Sequence, residues 1–498
     1  MLGKLPRIYW ASAIIVAIVV LYLCSDNRQS LRGRDPINPI FGVPSSRFSG
    51  AETIRDIRLR GRTAEERHVA EDLIAELKKL IEQNGLPADV FVDDRDKDER
   101  DTDDPTNIAI TLRNLFHAYY DKALQYDENE PNDLQKLWEA SPVGDWTVDE
   151  EKIDSVRTIL AQFEPKRQAV RIMLEQWDTT RYNYIFNRHP EASSPTSEQP
   201  RTNRPFLYVY SKVDTEASKY LLDYALLEEY AIAQALLNGN IKEAIDTLAD
   251  IFRIAQLASV LGNVGVRGDA AQVRLRAFDV MQRVVLDPTF DKTQMLALRD
   301  VLLYQHEHWT SEYIAWFGDR ASGMMLYHQI MMNGLENALE QDELDFVEEQ
   351  VGKNKFARGF RKYHEADKVF YLRSMQNILD VSEKPFVERL DVLNQINKDI
   401  RASEHTVDDN GIATEHFVAN LLLRNVEPLM RVFAQDQSAL NRAIVAIHIS
   451  LGQRQLADRF RDPFTDEPYE VQKVEGRFSV STTMLPRPFR VPDFTSEE

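Results

Sequence analysis

Two apolar stripes at helical spacing, separated by three residues, constrain the fold of this chain more than any other feature. The first belongs to a helix that Asp214 can cap and that runs to Leu237, rich in Leu, Ala and Tyr. Asn238-Gly239-Asn240 then turns the chain. The second stripe recurs at intervals of three and four residues and comprises Ile241, Ala244, Ile245, Leu248, Ile251, Phe252, Ala255 and Ala258. Helices joined by so short a turn must lie antiparallel, which predicts a helical hairpin at the core. No second copy follows at a period of about 34 residues, which disfavours a tetratricopeptide solenoid.

Similar periodicity predicts helices through most of the remaining chain. Thr63 and Glu66 form a capping box that opens a helix ending near Asn84-Gly85. Pro165 is expected to break a second helical segment in two, and Asp291 can cap a helix that follows Asp287-Pro288. The further predicted segments are 107–126, 149–185, 269–286, 291–308, 311–336, 340–350, 364–380, 383–401, 414–434 and 437–457.

The C-terminal region changes character. Residues 462–468 have turn chemistry, and residues 469–474 and 477–481 are predicted to form a small β-hairpin around Glu475-Gly476. The predicted fold class is therefore all-α, with an N-terminal transmembrane helix, a multi-helix body of antiparallel hairpins and a small C-terminal β-hairpin.

Three segments carry a resemblance: Ala233–Ala244, Leu286–Leu296 and Asp462–Tyr469. Through them the chain, over about residues 210–480, resembles uncharacterised planctomycetal membrane-anchored helical proteins that end in a DPF-x-G-x-P-type segment. The chain departs from that pattern at Asp466, where the group usually has glycine, and it lacks the YLP-like stretch that commonly precedes DPF. The resemblance implies an anchor and a helical body but no activity. The DPF segment is also similar to the C-terminal part of pseudopilins, although the sequence after Gly3 lacks the pilin leader pattern.

The stretch from Ile8 to Cys24 contains no charged residue and is predicted to be a membrane anchor. As a helix it would be ~25 Å long, the short end of what spans a bilayer. A cleaved signal peptide and a lipid anchor are the alternatives, but no small-x-small cleavage site follows the core and Leu23 before Cys24 is not small. Lys4 and Arg7 precede the helix and Arg28, Arg32 and Arg34 follow it, so the count of basic residues does not decide the orientation. A seven-residue basic tail before a first apolar helix usually stays in the cytoplasm. We therefore expect a single-pass protein of the cytoplasmic (inner) membrane with its bulk outside the cytoplasm.

Composition limits the partners of the chain. Its 60 basic and 80 acidic residues give a formal charge of −20, which repels phosphate backbones and makes nucleic-acid binding improbable. The one cysteine, Cys24, lies in the anchor, so no intramolecular disulfide can form. The expected partners are the lipid bilayer, through residues 8–24, and an unidentified protein.

Composition shifts divide the chain into seven segments. They are 1–7 (cytoplasmic tail), 8–24 (anchor), 25–60 (linker), 61–186 (N-terminal helical region), 187–207 (Pro/Ser/Thr linker), 208–460 (main helical domain) and 461–498 (DPF segment, hairpin and tail).

The sequence contains no nucleophile elbow, P-loop, zinc-protease motif or dinucleotide-binding motif. Asp94, Asp96 and Asp98 have calcium-loop spacing, but Glu99 stands where the turn glycine is needed and Pro105 where the bidentate Glu is needed. We interpret this run as a solvated loop. Gly262, Gly265 and Gly268 are interpreted as a connection between helices.

His306-Glu307-His308 is the densest histidine site. Alternate helical residues point ~200° apart, so the two histidines cannot face one metal. Glu312 could share a face with His308 only on a continuous helix, and His328 could join them only through tertiary structure. His448 is expected to be a buried, hydrogen-bonded histidine. Glu228-Glu229 and Glu348-Glu349 should diverge around their helices. The sequence thus predicts no catalytic, cofactor-binding or metal-binding residue and no cofactor.

These observations favour an interaction or scaffold module whose working part is the helical body. An enzyme with a site assembled from distant residues is one alternative. A component of a secretion or envelope-assembly system is another.

Overall fold

A computed structural model of the chain describes residues 150–175, 215–259, 264–333, 353–403, 416–482 and 484–495. The helices in these ranges are α1 (Glu150–Glu175), α2 (Thr215–Leu237), α3 (Ile241–Ser259), α4 (Val264–Val285), α5 (Lys292–Glu307), α6 (Glu312–Asn333), α7 (Lys353–Val381), α8 (Phe386–Ser403), α9 (Phe417–Leu423), α10 (Val426–Ser450) and α11 (Arg454–Ala457). The strands are β1 (Glu470–Val474), β2 (Arg477–Ser481) and β3 (Phe489–Pro492). The predictions of a mainly helical body and of a C-terminal hairpin are confirmed.

Several predictions concern residues outside these ranges. They are the anchor at 8–24, the linkers at 25–60 and 187–207, the helices at 63–84, 107–126 and 340–350, and the loop around Asp94. Among the helices that the structure describes, none is both long and apolar enough to cross a bilayer.

The predicted helical hairpin is formed by α2 and α3. Gly239 has a φ of 68°, a left-handed conformation that glycine adopts without a steric cost. Asn240 begins α3, because its side-chain oxygen accepts the Glu243 backbone N–H at 3.3 Å and its amide donates to the Glu243 carboxylate at 2.8 Å. Every residue of the predicted α3 stripe is buried.

The buried side chains form two hydrophobic cores. The first joins α1–α5, the C-terminal part of α10, β2 and β3, and the second joins α6–α9, the start of α4 and the N-terminal part of α10. α4 and α10 pack against each other and contribute to both cores. In α10 the transition falls between Ala434, in the second core, and Ala439, in the first. These two helices therefore hold the described body together.

Pro165 does not break its helix, contrary to expectation. α1 is continuous from Glu150 to Glu175 with Pro165 inside it. The proline is exposed, so the carbonyl that its ring leaves without a helical donor can be hydrated. Buried neighbours, including Phe163 and Val170, hold the segments on both sides against the first core.

The predicted break between residues 434 and 437 was wrong. α9 ends at Leu423 and α10 then runs without interruption to Ser450. Asp436 lies inside α10, where its carboxylate forms a buried ion pair with Arg274 of α4. The ion pair with the distant Arg274 thus stabilises Asp436 in the interior of the helix, although a polar residue between two apolar runs suggests a helix end.

The glycine-rich segment before residue 269 was also misassigned in part. α4 begins at Val264, so Gly265 and Gly268 are helical and do not lie in a connection. A Cβ atom built on Gly268 would lie 3.4 Å from Leu429 Cδ2. A methyl group at residue 268 would therefore lie in van der Waals contact with Leu429 of α10.

The C-terminal sheet is antiparallel with the order β1-β2-β3, and β3 was not predicted. Val480 of β2, together with Phe489 and Val491 of β3, packs on α10 in the first core. The preceding DPF segment is tied to α8, since the Phe386 and Val387 backbone N–H groups donate to the Pro463 and Phe464 carbonyls at 2.8 and 3.0 Å.

Candidate functional site

The β-hairpin has a turn that fixes which backbone groups point out of the sheet. Glu475 and Gly476 both have positive φ, 51° and 72°, as a two-residue type I′ turn requires. The residues that flank such a turn, here Val474 and Arg477, exchange hydrogen bonds with each other, and bonded pairs alternate with non-bonded pairs along the ladder. The N–H and C=O groups of Val471 and Lys473 therefore point away from β2.

The opposite edge of the same sheet is covered by a side chain. Gln282 of α4 donates from Nε2 to the Arg490 carbonyl at 2.6 Å, and its Oε1 accepts the Arg490 N–H at 2.6 Å. Arg490 pairs with Ser479 at a position where its backbone groups face away from β2. The Gln282 amide thus occupies the place of a fourth strand at this edge.

The β1 edge has no equivalent cover among the described residues. All five residues of β1 are exposed, including Val471 at 37% and Val474 at 51%. Lys473 forms an ion pair with Asp493, and its Nζ lies 5.4 Å from the centre of the Phe478 ring. An uncovered edge of this kind can accept an additional strand through main-chain hydrogen bonds.

The histidines of the 306–308 segment do not converge. α5 ends at Glu307, and His308 stacks on Tyr304 with ring centres 4.1 Å apart. His306 packs edge-on against Phe460 at 5.0 Å. Glu312 begins the next helix, so the continuous helix that would place it beside His308 is not formed. The side chain of His328 is outside the described part of the structure.

The adjacent carboxylates Glu228 and Glu229 diverge, as predicted. Glu228 is fully buried and accepts from Arg167 at 2.8 Å and from Arg171 at 3.1 Å, both on α1. Glu229 instead accepts from Arg276 of α4 at 2.8 Å. Each carboxylate therefore joins a different pair of helices. Glu348-Glu349 lies outside the described ranges.

His448 is buried and hydrogen-bonded, as expected. Its Nδ1 lies 2.9 Å from Gln453 Oε1, and its ring stacks on Phe460 at 6.1 Å. His306 contacts the same phenyl ring from another side. Burial lowers the pKa of both histidines, which favours their neutral forms.

Within the described ranges, no group of three or more His, Cys, Asp or Glu side chains is arranged to hold a metal ion. Asp94, Asp96 and Asp98 are not in those ranges. Two buried carboxylates in the described part of the chain, Asp436 and Glu312, are bound to arginines, and Glu312 lies 2.7 Å from Arg389.

Three features of the site were missed by the sequence analysis. The orientation of the β1 backbone groups could have been deduced from the two-residue Glu475-Gly476 turn, because loop length fixes hairpin register. The cover by Gln282 left no local signal, since 208 residues separate it from Arg490. The strand β3 is only four residues long and ends in Pro492, so its pattern was too short to identify.

Comparison with protein-family models, with curated proteins and with solved structures found no match for this chain.

Proposed function

We propose that this chain is a membrane-anchored, envelope-facing interaction module in which β1 receives an extended segment of a protein partner. The observation that carries the proposal is the difference between the two sheet edges. Gln282 forms hydrogen bonds with the outward N–H and C=O groups of Arg490. The outward N–H and C=O groups of Val471 and Lys473 have no hydrogen-bond partner among the described residues.

The body around this edge is suited to a supporting role. β2 and β3 pack on α10, which contributes to both cores, so β1 is carried by a rigid sheet. A partner strand would gain main-chain hydrogen bonds at Val471 and Lys473, and the side chain facing Val471 would gain apolar contact. The apolar stretch at residues 8–24 would keep the module at the membrane, where a high effective concentration favours weak partners.

Substitution of Val471 by proline tests the edge directly. Proline removes the outward N–H and leaves the hydrogen-bonded pairs at residues 470, 472 and 474 intact, since proline is tolerated at such edge positions. Val471→Thr is the matched control, because it retains the N–H and a similar shape. We expect Val471→Pro to fold with unchanged circular dichroism and to lose its partner, and Val471→Thr to keep it.

Hydrogen exchange of the β1 backbone amides tests whether the partner binds as an additional strand. The outward amides of Val471 and Lys473 should exchange rapidly in the purified full-length protein and slowly when the partner is bound. A photo-crosslinking residue at position 472 should join β1 to one defined peptide of another protein. Protection elsewhere with no change at these amides would contradict the proposal, as would crosslinking of β1 only to a second copy of the chain.

The proposed topology is tested separately. Phosphatase and β-galactosidase fusions at residue 60 should be active only for the reporter that requires export. Activity only in the cytoplasmic reporter would contradict an envelope-facing body. Turnover of a small molecule by the purified protein would instead favour an enzyme.

A further inference from the structure

Apolar side chains form a row across the sheet that ends at the free edge of β1. Val471 pairs with Val480, and Val480 pairs with Phe489. Phe489 and Val480 are 2% and 0% exposed and belong to the first core, whereas Val471 is 37% exposed. Paired residues lie on one face of a sheet, so an added strand would continue this row with a side chain against Val471. A β-branched or aromatic side chain there would cover Val471 and extend the packed row.

The lysine of β1 does not shield the free edge. Lys473 pairs with Phe478, and its Nζ forms an ion pair with Asp493, the residue that follows β3. Both contacts lie on the side of β1 that faces β2 and β3, so the ammonium is directed across the sheet and away from the edge. Lysine charges commonly protect edge strands against pairing. Here the charge is turned away, and the edge stays open to another strand.

The opposite face of β1 is polar and carries a carboxylate. Glu470, Gln472 and Val474 lie on this face, since they alternate with Val471 and Lys473. The Glu470 carboxylate accepts from the Gln472 amide at 2.7 Å and from the Ser481 hydroxyl at 3.5 Å. Both donors are uncharged, so the negative charge of Glu470 is still available to a cation on a neighbouring strand.

Negative charge is concentrated at the start of β1. Asp466, Glu467 and Glu470 are exposed, and residues 466–472 contain no lysine or arginine. At the other end of the strand, Arg477 lies opposite Val474 and balances the charge of Glu475. The start of β1 therefore attracts a basic segment and repels an acidic one.

We propose that the segment received by β1 is a basic amphipathic strand, with a β-branched or aromatic residue against Val471 and a lysine or arginine against Glu470. This inference rests on the proposed function, because it specifies the partner of the same edge. Since the outward hydrogen-bonding groups belong to Val471, the added strand would face Glu470 at a non-hydrogen-bonded position, where Cα atoms lie about 4.5 Å apart. An ion pair between the two strands forms directly at that separation.

A second copy of β1 does not meet this requirement. The outward backbone groups of one copy would bond those of the other, so residues of the polar face would meet residues of the same face. These residues are Glu470, Gln472 and Val474, and none of them is basic. A different protein therefore fits the edge better than another copy of this chain.

Seven-residue peptides test the inference on the full-length protein in a non-ionic detergent. The probes are Thr-Thr-Val-Thr-Val-Lys-Thr, which places lysine against Glu470 in an antiparallel strand, and Thr-Lys-Val-Thr-Val-Thr-Thr, which does so in a parallel strand. We expect one of them to bind in fluorescence anisotropy and to slow the exchange of the Val471 and Lys473 amides. Glutamate in place of its lysine should raise Kd roughly fivefold at low ionic strength. This ratio should approach one at ~1 M salt, where charges are screened.

Charge reversal at Glu470 locates the preference. Glu470→Lys should make the glutamate peptide bind more tightly than the lysine peptide. Asp391→Lys changes the net charge equally at an exposed position of α8, and it should keep the wild-type preference. Serine in place of both valines should weaken binding several-fold in every variant, because the contact with Val471 is lost. Val471→Pro should bind none of the peptides.

The inference is overturned if neither lysine peptide binds, or if the glutamate peptides bind as tightly as the lysine peptides. An unchanged preference in Glu470→Lys, or an equal change in Asp391→Lys, would also overturn it. The proposed function is judged separately, by whether the native partner protects the amides of Val471 and Lys473 and is lost in Val471→Pro. A native partner that does so while the peptides show no preference for lysine would leave the proposed function intact and remove only the basic strand.

Discussion

Arg274 and Asp436 are 162 residues apart in the chain and form an ion pair in which neither side chain has exposed surface. Arg274 Nε lies 2.9 Å from each Asp436 oxygen, and its Nη1 donates to Ser259 Oγ at 2.7 Å. Asp436 occupies the short stretch of α10 between the residues of one core and those of the other. The pair therefore joins α4 to α10 at the junction of the two cores.

Asp436→Asn should destabilise the protein strongly, because it leaves the charge of Arg274 buried and without a counter-charge. Removing one partner of a buried pair costs about 3–5 kcal/mol. Urea unfolding, followed by circular dichroism, measures the change. The double variant Arg274→Met, Asp436→Leu should lose much less, since both charges are then absent. Equal losses in the single and double variants would show that the unpaired charge of Arg274 is not the cause of the destabilisation.

The hairpin α2–α3 could be predicted because its information is local. The stripe from Ile241 to Ala258 has helical spacing, and Gly239 supplies the left-handed turn between the helices. Asp436 shows the limit of that approach. A polar residue between two apolar runs suggests a helix end, and only the distant Arg274 explains why the helix continues.

The candidate sites depend almost entirely on tertiary placement. Gln282 covers β3 from another element, and the buried partners of Asp436 and Glu312 lie on distant helices. Sequence spacing cannot reveal which buried charges pair, because pairing depends on three-dimensional proximity. The histidines show the converse: His306 and His308 adjoin in sequence, yet they contact different aromatic rings.

Stability should fall as pH rises through the range in which Asp367 ionises. Asp367 is 1% exposed and accepts the Val418 and Ala419 N–H groups at 2.9 and 3.3 Å, which caps α9 from α7. Burial raises its pKa from 3.8 to about 7, although the two amides oppose this shift. Between these values the unfolded chain has lost the proton that the native state keeps, so the free energy of unfolding decreases with pH.

Asp367→Asn isolates this contribution, since an amide oxygen can still accept from the α9 amides. Urea unfolding at about pH 5 and about pH 8 should show a smaller difference for the variant than for the wild type. Burial lowers the pKa of His416, whose Nδ1 lies 3.9 Å from Asp367. Below the ordinary pKa of histidine, the free energy of unfolding therefore increases with pH on account of His416, which is opposite to the effect of Asp367. His416→Gln should therefore leave the loss of stability near neutral pH in place. An Asp367→Asn variant whose stability changes between these two pH values as much as that of the wild type would contradict the assignment.

Asp466→Gly should stabilise the DPF segment. Asp466 has a φ of 59° and an exposed side chain, and its N–H donates to the Asp462 carbonyl at 2.8 Å. A left-handed conformation costs a residue with a Cβ atom about 1–2 kcal/mol, and glycine removes this cost. Glycine also has more conformational freedom in the unfolded chain, which offsets part of the gain in stability. We expect a net increase of about 0.5 kcal/mol in urea unfolding. Asp466→Ala, which keeps a Cβ atom at the same φ, should give no increase, and a gain of equal size there would point to charge removal as the cause.

Gly323→Ala should be strongly destabilising, whereas Gly268→Ala should not. A Cβ atom on Gly323 of α6 would lie 2.1 Å from the Tyr371 hydroxyl and 2.4 Å from Cζ of that ring. Tyr371 of α7 has no exposed surface and donates to the Asp319 carbonyl at 3.1 Å, so its ring cannot move without the loss of buried contacts. Overpacking of this kind costs about 1–3 kcal/mol and exceeds the gain of about 1 kcal/mol that alanine brings to a helix.

Gly268 is the matched helical control, because a Cβ atom there would meet Leu429 Cδ2 at 3.4 Å, within reach of a small shift. The helix preference of alanine then makes Gly268→Ala neutral or slightly stabilising. Urea midpoints of the two variants, measured beside the wild type, give the comparison. If both substitutions lowered stability equally, the close approach of α6 to Tyr371 would not be the reason that residue 323 must be glycine.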